Sequence, residues 1–265
     1  MNKDLKMKTA FTLAEGATHV GIFHITRRVA FTLAEVLITL GIIGVVSAMT
    51  IPTLISNYQE KVLINKAKQA HAIVHNSIKL YMVQNDCYDR ITCLFDTRKT
   101  SQQVITEFAK VLKGTKICPN LADSQQTKQC KSYDIKANTP IKQDGAYIAG
   151  DALSGRNRIV MPSGMTFHIY QLDSCDHIYT YELRDEFGFV TGETRQEAST
   201  TCARLYVDIN GVDKPNQHGY DIFRYDIKKD GKIDSFGGHI NSVLKENKFK
   251  YTDYNIGDTV PGYEG

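Results

Sequence analysis

The chain has 265 residues, enough for one or two domains, and 42% of them are hydrophobic, which excludes a low-complexity or wholly disordered polymer. Its 32 Lys and Arg exceed 29 Asp and Glu by three, and residues 1–30 alone hold five basic and two acidic side chains, so the remainder balances at 27 against 27. With no basic excess or stripe beyond residue 30, no nucleic-acid partner is expected.

Residues 1–30 end in a short basic patch, Arg27-Arg28, and contain AFTLAE at 10–15, a hexapeptide that recurs at 30–35. The first copy is followed by GATHVGIFHITRR, too short and too polar to insert in a membrane, whereas the second opens a usable apolar run. The expectation is that 1–30 is a leader removed from the mature protein. From 31 to 55 the chain runs FTLAEVLITLGIIGVVSAMTIPTLI, 25 positions with one charge, Glu35. As a helix this spans roughly 37 Å at about 1.5 Å per residue, more than the ~30 Å of a bilayer core. A carboxylate in such a segment costs on the order of 3 kcal/mol at its centre and calls for a partner. A cut between Ala30 and Phe31 creates one: a new α-amino cation lies one helical turn from Glu35, and staggered neighbours could pair amine with acid.

These residues, Phe31-Thr32-Leu33, Glu35, the apolar run through Ile51, and Pro52 at the 22nd position counted from Phe31, resemble the type IV pilin-like family, which includes the pseudopilins of type II secretion systems. The resemblance implies cleavage before Phe31 and its N-methylation by a prepilin peptidase, assembly through Phe31, Glu35 and Pro52, and partners comprising other pilin or pseudopilin subunits and an inner-membrane assembly platform. The residue before the cut is Ala30, where the family usually has Gly. Two plainer readings stand beside it: an ordinary transmembrane anchor, and a secretory signal cut after Val46-Ser47-Ala48. Neither accounts for Glu35 and Pro52 together.

Pro52 has no amide proton and is expected to kink the helix without ending it. Leu63, Ala67, Ala70, Val74, Ser77, Ile78 and Tyr81 recur at spacings of three and four, extending the helix to about residue 85. His71 and His75, four apart, are expected on its exposed side. Residues 86–265 form the expected globular domain and hold all six cysteines, Cys87, Cys93, Cys118, Cys130, Cys175 and Cys202. An even number on one side of the apolar run fits disulfides in an oxidising compartment, periplasmic or extracellular, and decides a sidedness that Lys61, Lys66 and Lys68 leave open against Arg27 and Arg28. Fifteen pairings are possible, and the sequence does not choose; the local set would be Cys87 with Cys93, Cys118 with Cys130, and Cys175 with Cys202.

The stretch 96–145 reads as a connecting region with one helical pattern at 104–112. Strands are expected at 157–161 and 165–172 around Pro-Ser-Gly, at 178–183 and 187–191, at 204–208, and at 222–227 before a turn at Lys229-Asp230-Gly231. A long helix on an antiparallel sheet is an α+β arrangement, and the resemblance implies the pilin-like fold. Residues 208–226, DINGVDKPNQHGYDIFRYD, resemble the C-terminal part of secretion pseudopilins. Asp208, Asn210 and Asp213 at alternating spacing could hold structural calcium, although Gly219 stands where an EF-hand has its twelfth-position Glu; the alternative is an Asx turn closed by Gly211. With no G-x-S-x-G and no phosphate-cradling glycine loop, catalysis is not expected. The expected function is structural, a filament subunit; the alternative is an adhesin-like binding module tethered by its helix.

Overall fold

The computed structural model describes residues 32–261 apart from Asp89 and Asp144, so the leader, Ala30 and Phe31 lie outside the described residues. Among the described residues three α-helices are formed: α1 (Leu33–Gln84), α2 (Ser101–Val111) and α3 (His239–Glu246). The strands in chain order are β1 (Lys116–Ile117), β2 (Tyr133–Ile135), β3 (Ile141–Gln143), β4 (Ala146–Ile148), β5 (Asp151–Leu153), β6 (Arg158–Val160), β7 (Thr166–Gln171), β8 (His177–Arg184), β9 (Val190–Ser199), β10 (Thr201–Asp208), β11 (Ile222–Lys228) and β12 (Ile233–Ser235). The α+β class follows from this list. The chain divides into two units, one ending at Pro52 and one beginning at Thr53.

In the first unit the helical residues carry a nearly continuous apolar surface. Leu33, Leu37, Ile38, Leu40, Ile42, Ile43, Val45, Val46 and Met49 are all exposed. This helix is long and apolar enough to cross a membrane, and none of its most apolar stretch is buried. Pro52 lies inside α1, which continues through it.

The second unit is built on a six-stranded antiparallel sheet in the order β1-β6-β7-β10-β11-β12. The Pro-Ser-Gly segment joins β6 to β7, and Arg158 to Val160 pair with His168 to Thr166. Gly164 there adopts a φ of 84°, open to glycine and strained for other residues. Alternation along the strands sends Ile159, Phe167, Ile169, Leu205, Val207, Phe223, Tyr225 and Ile227 to one face. There they form one apolar cluster with Ile64, Ala67, Ala70, Val74, Ile78 and Tyr81 of α1, with Val104, Ile105 and Phe108 of α2, and with Ile240 and Val243 of α3. The buried stripe of α1 includes Ile64, whereas the expected Leu63 is only partly buried against it, a one-residue rotation of the stripe. His71 and His75 are not on the exposed side: both are half-buried, their rings 4.4 Å apart, and His71 Nδ1 lies 3.2 Å from the Tyr225 hydroxyl of β11. The buried Tyr225 ring, 5.8 Å from His71 and 6.3 Å from His75, covers one side of the pair.

The stretch 96–145 holds more structure than a connecting region. Thr100 and Gln103 cap α2 reciprocally, so the helix begins at Ser101, three residues before its first apolar position. Short pairs β2–β5 and β3–β4 follow. The β8–β9 hairpin is a separate two-stranded sheet with mostly exposed side chains; β8 extends the expected 178–183 by one residue at each end, whereas the strand expected at 187–191 begins at Val190 and runs on to Ser199. Three disulfides join Cys87 to Cys93, Cys118 to Cys130 and Cys175 to Cys202. The last ties the foot of the hairpin to β10.

Candidate functional site

Glu35 occupies the first turn of α1. Its Oε2 accepts hydrogen bonds at 2.9 Å from both the backbone amide and the hydroxyl of Thr32, while the Glu35 amide donates to Thr32 Oγ1 at 3.2 Å. This is a capping box: the side chain of one residue satisfies the otherwise unpaired amide of the other at the helix start. The T-x-x-E spacing of Thr32 and Glu35 was the available signal for it. Oε1 accepts no hydrogen bond among the described residues. Phe31 and Ala30, the processing residues, lie outside those residues, and Pro52 lies at the boundary of the two units.

Of the three buried carboxylates in the 208–226 segment, Asp208 and Asp221 organise its turn. Asp208, at the end of β10, accepts from the Tyr133 hydroxyl at 2.7 Å and from the Asn210 amide at 3.2 Å, which closes an Asx turn. Asp221 accepts from the amides of Asn216 at 2.9 Å and Gln217 at 2.6 Å, and from Asn210 Nδ2 at 3.2 Å. Gly211 turns the chain at φ 78°, and a Cβ there would stand 2.7 Å from the Gly164 carbonyl oxygen. Burial lifts Asp221 to about 6, and burial with the neighbouring Asp221 charge holds Asp208 well above the usual carboxylate range. Of the three expected calcium ligands, Asp208 and Asn210 sit in this network. Asp213 instead turns outward, its carboxylate 3.0 Å from Lys128 Nζ. Calcium takes six to eight oxygens. Here the inner carboxylates are occupied by N–H and O–H donors, and among the described residues no group of three or more His, Cys, Asp or Glu is placed to hold a metal.

A second polar constellation covers the face of the central sheet opposite the apolar cluster. Register places Arg158, His168, Tyr206 and Arg224 in one row across β6, β7, β10 and β11, and Tyr170, Arg204, Asp226 and Asp234 in the next. Arg158 is fully buried; its Nη1 donates to the carbonyls of Gln129 and Lys131 at 2.7 and 2.9 Å, and it lies over the Tyr133 ring. Tyr206 donates to Asp151 Oδ2 at 2.8 Å. Burial, with Arg158 adding repulsion, pushes His168 down to about 3, and burial pushes His218, near Tyr206, down to about 4. Both are neutral imidazoles at neutral pH.

Arg224 grips Asp226 with two hydrogen bonds, at 2.8 and 3.0 Å, and stacks on Phe236 at 3.7 Å. Between this face and the β8–β9 hairpin lies a groove of about 690 Å³ lined by Tyr179, Tyr181, Arg204, Arg224, Lys228 and Phe236 among others. A second hollow of about 840 Å³, holding His218, His239 and Asp151, shares Arg224 and Phe236 with it. Sequence reasoning missed this face. Its only signal is the period-two placement of His168 and Tyr170, of Arg204, Tyr206 and Asp208, and of Arg224, Asp226 and Lys228, a pattern that also describes an ordinary solvated sheet face. No protein-family model, curated protein or solved structure matches the chain.

Proposed function

We propose that the chain is a structural subunit of a type II secretion pseudopilus or a type IV pilus. The precursor sits in the inner membrane through its apolar helix, with the cysteine-bearing domain on the periplasmic side. Prepilin peptidase cuts before Phe31 and methylates the new amine, and an inner-membrane assembly platform delivers the subunit into the filament. The observation that carries this reading is an exposed apolar helical surface whose single acid, Glu35, stands in the first turn with Oε1 accepting no hydrogen bond among the described residues. Apolar side chains that leave lipid for a helix seam gain van der Waals packing, and a carboxylate at such a seam is tolerable only when a cation meets it. The amine of a neighbouring subunit's Phe31 supplies that cation, and the pairing sets the axial register.

The mass of the mature N terminus tests this. A chain beginning at N-methylated Phe31 supports the filament subunit, an uncut chain supports a membrane-tethered binding module, and a start at Met49 supports simple secretion. Glu35→Ala is expected to insert in the membrane and stay out of filaments; normal assembly by that variant would remove the mechanism. The tethered module takes its own support from the groove beside Arg204.

A further inference from the structure

Arg204 stands on β10, inside the groove under the β8–β9 hairpin. Its guanidinium stacks on the Tyr179 ring at 4.8 Å, and its Nε is buried with no hydrogen-bond partner. It forms no ion pair among the described residues. The two cations beside it are differently placed: Arg224 is held by Asp226, and Lys228 Nζ donates to Thr201 Oγ1 at 2.9 Å with Asp226 4.0 Å away. One guanidinium in this groove is therefore unmatched. A buried donor left unpaired costs about 1–3 kcal/mol, more when charged, and a ligand that completes it recovers that cost.

The surroundings narrow the ligand. Asp226 and Glu197 line the same groove, so a doubly charged phosphate or sulfate meets repulsion there, whereas one carboxylate matches the one free guanidinium fork. The two acids are acceptors suited to hydroxyl groups. Tyr179 carries Arg204 and Phe236 carries Arg224 on their rings, which leaves the exposed Tyr181 ring as the flat apolar face against which the C–H side of a sugar ring packs, and about 690 Å³ exceeds what one sugar unit fills. We propose that this groove binds a monocarboxylated sugar of the uronic or sialic acid class, its carboxylate on Arg204 and its ring against Tyr181. The site lies wholly in the second unit and stands or falls independently of filament assembly.

The test is calorimetric titration of the full chain in detergent micelles with glucuronic acid and N-acetylneuraminic acid, set against galactose, acetate and sulfate. At least one acidic sugar is expected to bind saturably, with the three comparison ligands about tenfold weaker or more, and Arg204→Gln is expected to weaken the sugar by about tenfold or more, as loss of a charged hydrogen bond implies. In the unaltered protein the Arg204 Nε–H resonance is expected to shift with the same saturation, a readout that needs no variant to fold. Absence of saturable sugar binding, binding that Arg204→Gln leaves intact, an unmoved Nε–H resonance at saturation, or sulfate as tight as the sugar would each overturn the proposal.

Discussion

Removing the disulfides one at a time should cost stability in the order of the loops they close. Cys175–Cys202 spans 27 positions, Cys118–Cys130 spans 12 and Cys87–Cys93 spans 6. Loop-closure entropy gives about 3.5, 2.8 and 2.2 kcal/mol at 25 °C for the three. The largest loop contains the whole β8–β9 hairpin, none of whose residues belongs to the main apolar cluster. Cysteine-to-alanine pairs, made in the full chain and unfolded with urea in detergent at fixed pH, measure the three losses. For a unit of this size about 3.5 kcal/mol lowers Tm by roughly 7–14 °C. The difference between the longest and shortest loops, about 1.3 kcal/mol, depends only on the ratio of their lengths. A loss at Cys87–Cys93 equal to or above that at Cys175–Cys202 would refute the entropic account and place the stabilisation in native contacts.

Opposing pH slopes are expected from two buried groups. Burial raises Asp221 to about 6, so the folded state retains a proton that the unfolded chain gives up near 4; its contribution is full below that value and falls as pH rises through 6, on the order of 3 kcal/mol. His218 is the reverse: held down to about 4, it contributes fully above about 6.5 and loses a similar amount as pH falls towards 4. Urea midpoints across pH 4–7 should therefore tilt towards acid sensitivity in Asp221→Asn and away from it in His218→Gln; unchanged slopes in both variants would contradict the burial argument. At the turns, Gly211→Ala combines a φ of 78° with a Cβ 2.7 Å from a carbonyl oxygen and should cost about 2 kcal/mol or more, whereas Gly231→Ala, at φ 87° with open space around it, should cost about 1. Equal Tm losses for the two would argue that the loop at Gly211 relaxes. Glu35→Gln keeps an acceptor for Thr32 and loses the charge; normal helix content with failed filament entry is expected by circular dichroism and electron microscopy, and a loss of helix content would assign Glu35 to capping alone.

Signals confined to a few neighbouring residues were legible in the chain. The apolar run after residue 31, the three-and-four spacing from Ala67 to Tyr81, and the turns at Pro-Ser-Gly and Lys-Asp-Gly each specify a local geometry from adjacent side chains, and helix α1 and the β6–β7 and β11–β12 hairpins follow them. The D-x-N-G turn was legible in the same way, because Asp208 reaches the amide two residues on. Its partner was not: the carboxylate that completes the network is Asp221, on the far side of a loop, while Asp213 turns to Lys128.

Pairing at a distance belonged to the tertiary structure. An even cysteine number is a property of composition, but choosing one pairing of fifteen requires each pair to meet in space. The polar rows from Arg158 to Arg224 and from Tyr170 to Asp234 exist only in the register of four strands, and period-two alternation reads the same whether that face meets water or a covering hairpin. What lies over Arg204 was thus decided by where β8 and β9 fold back, since a strand's own sequence carries its alternation and says nothing of the element that comes to rest above it.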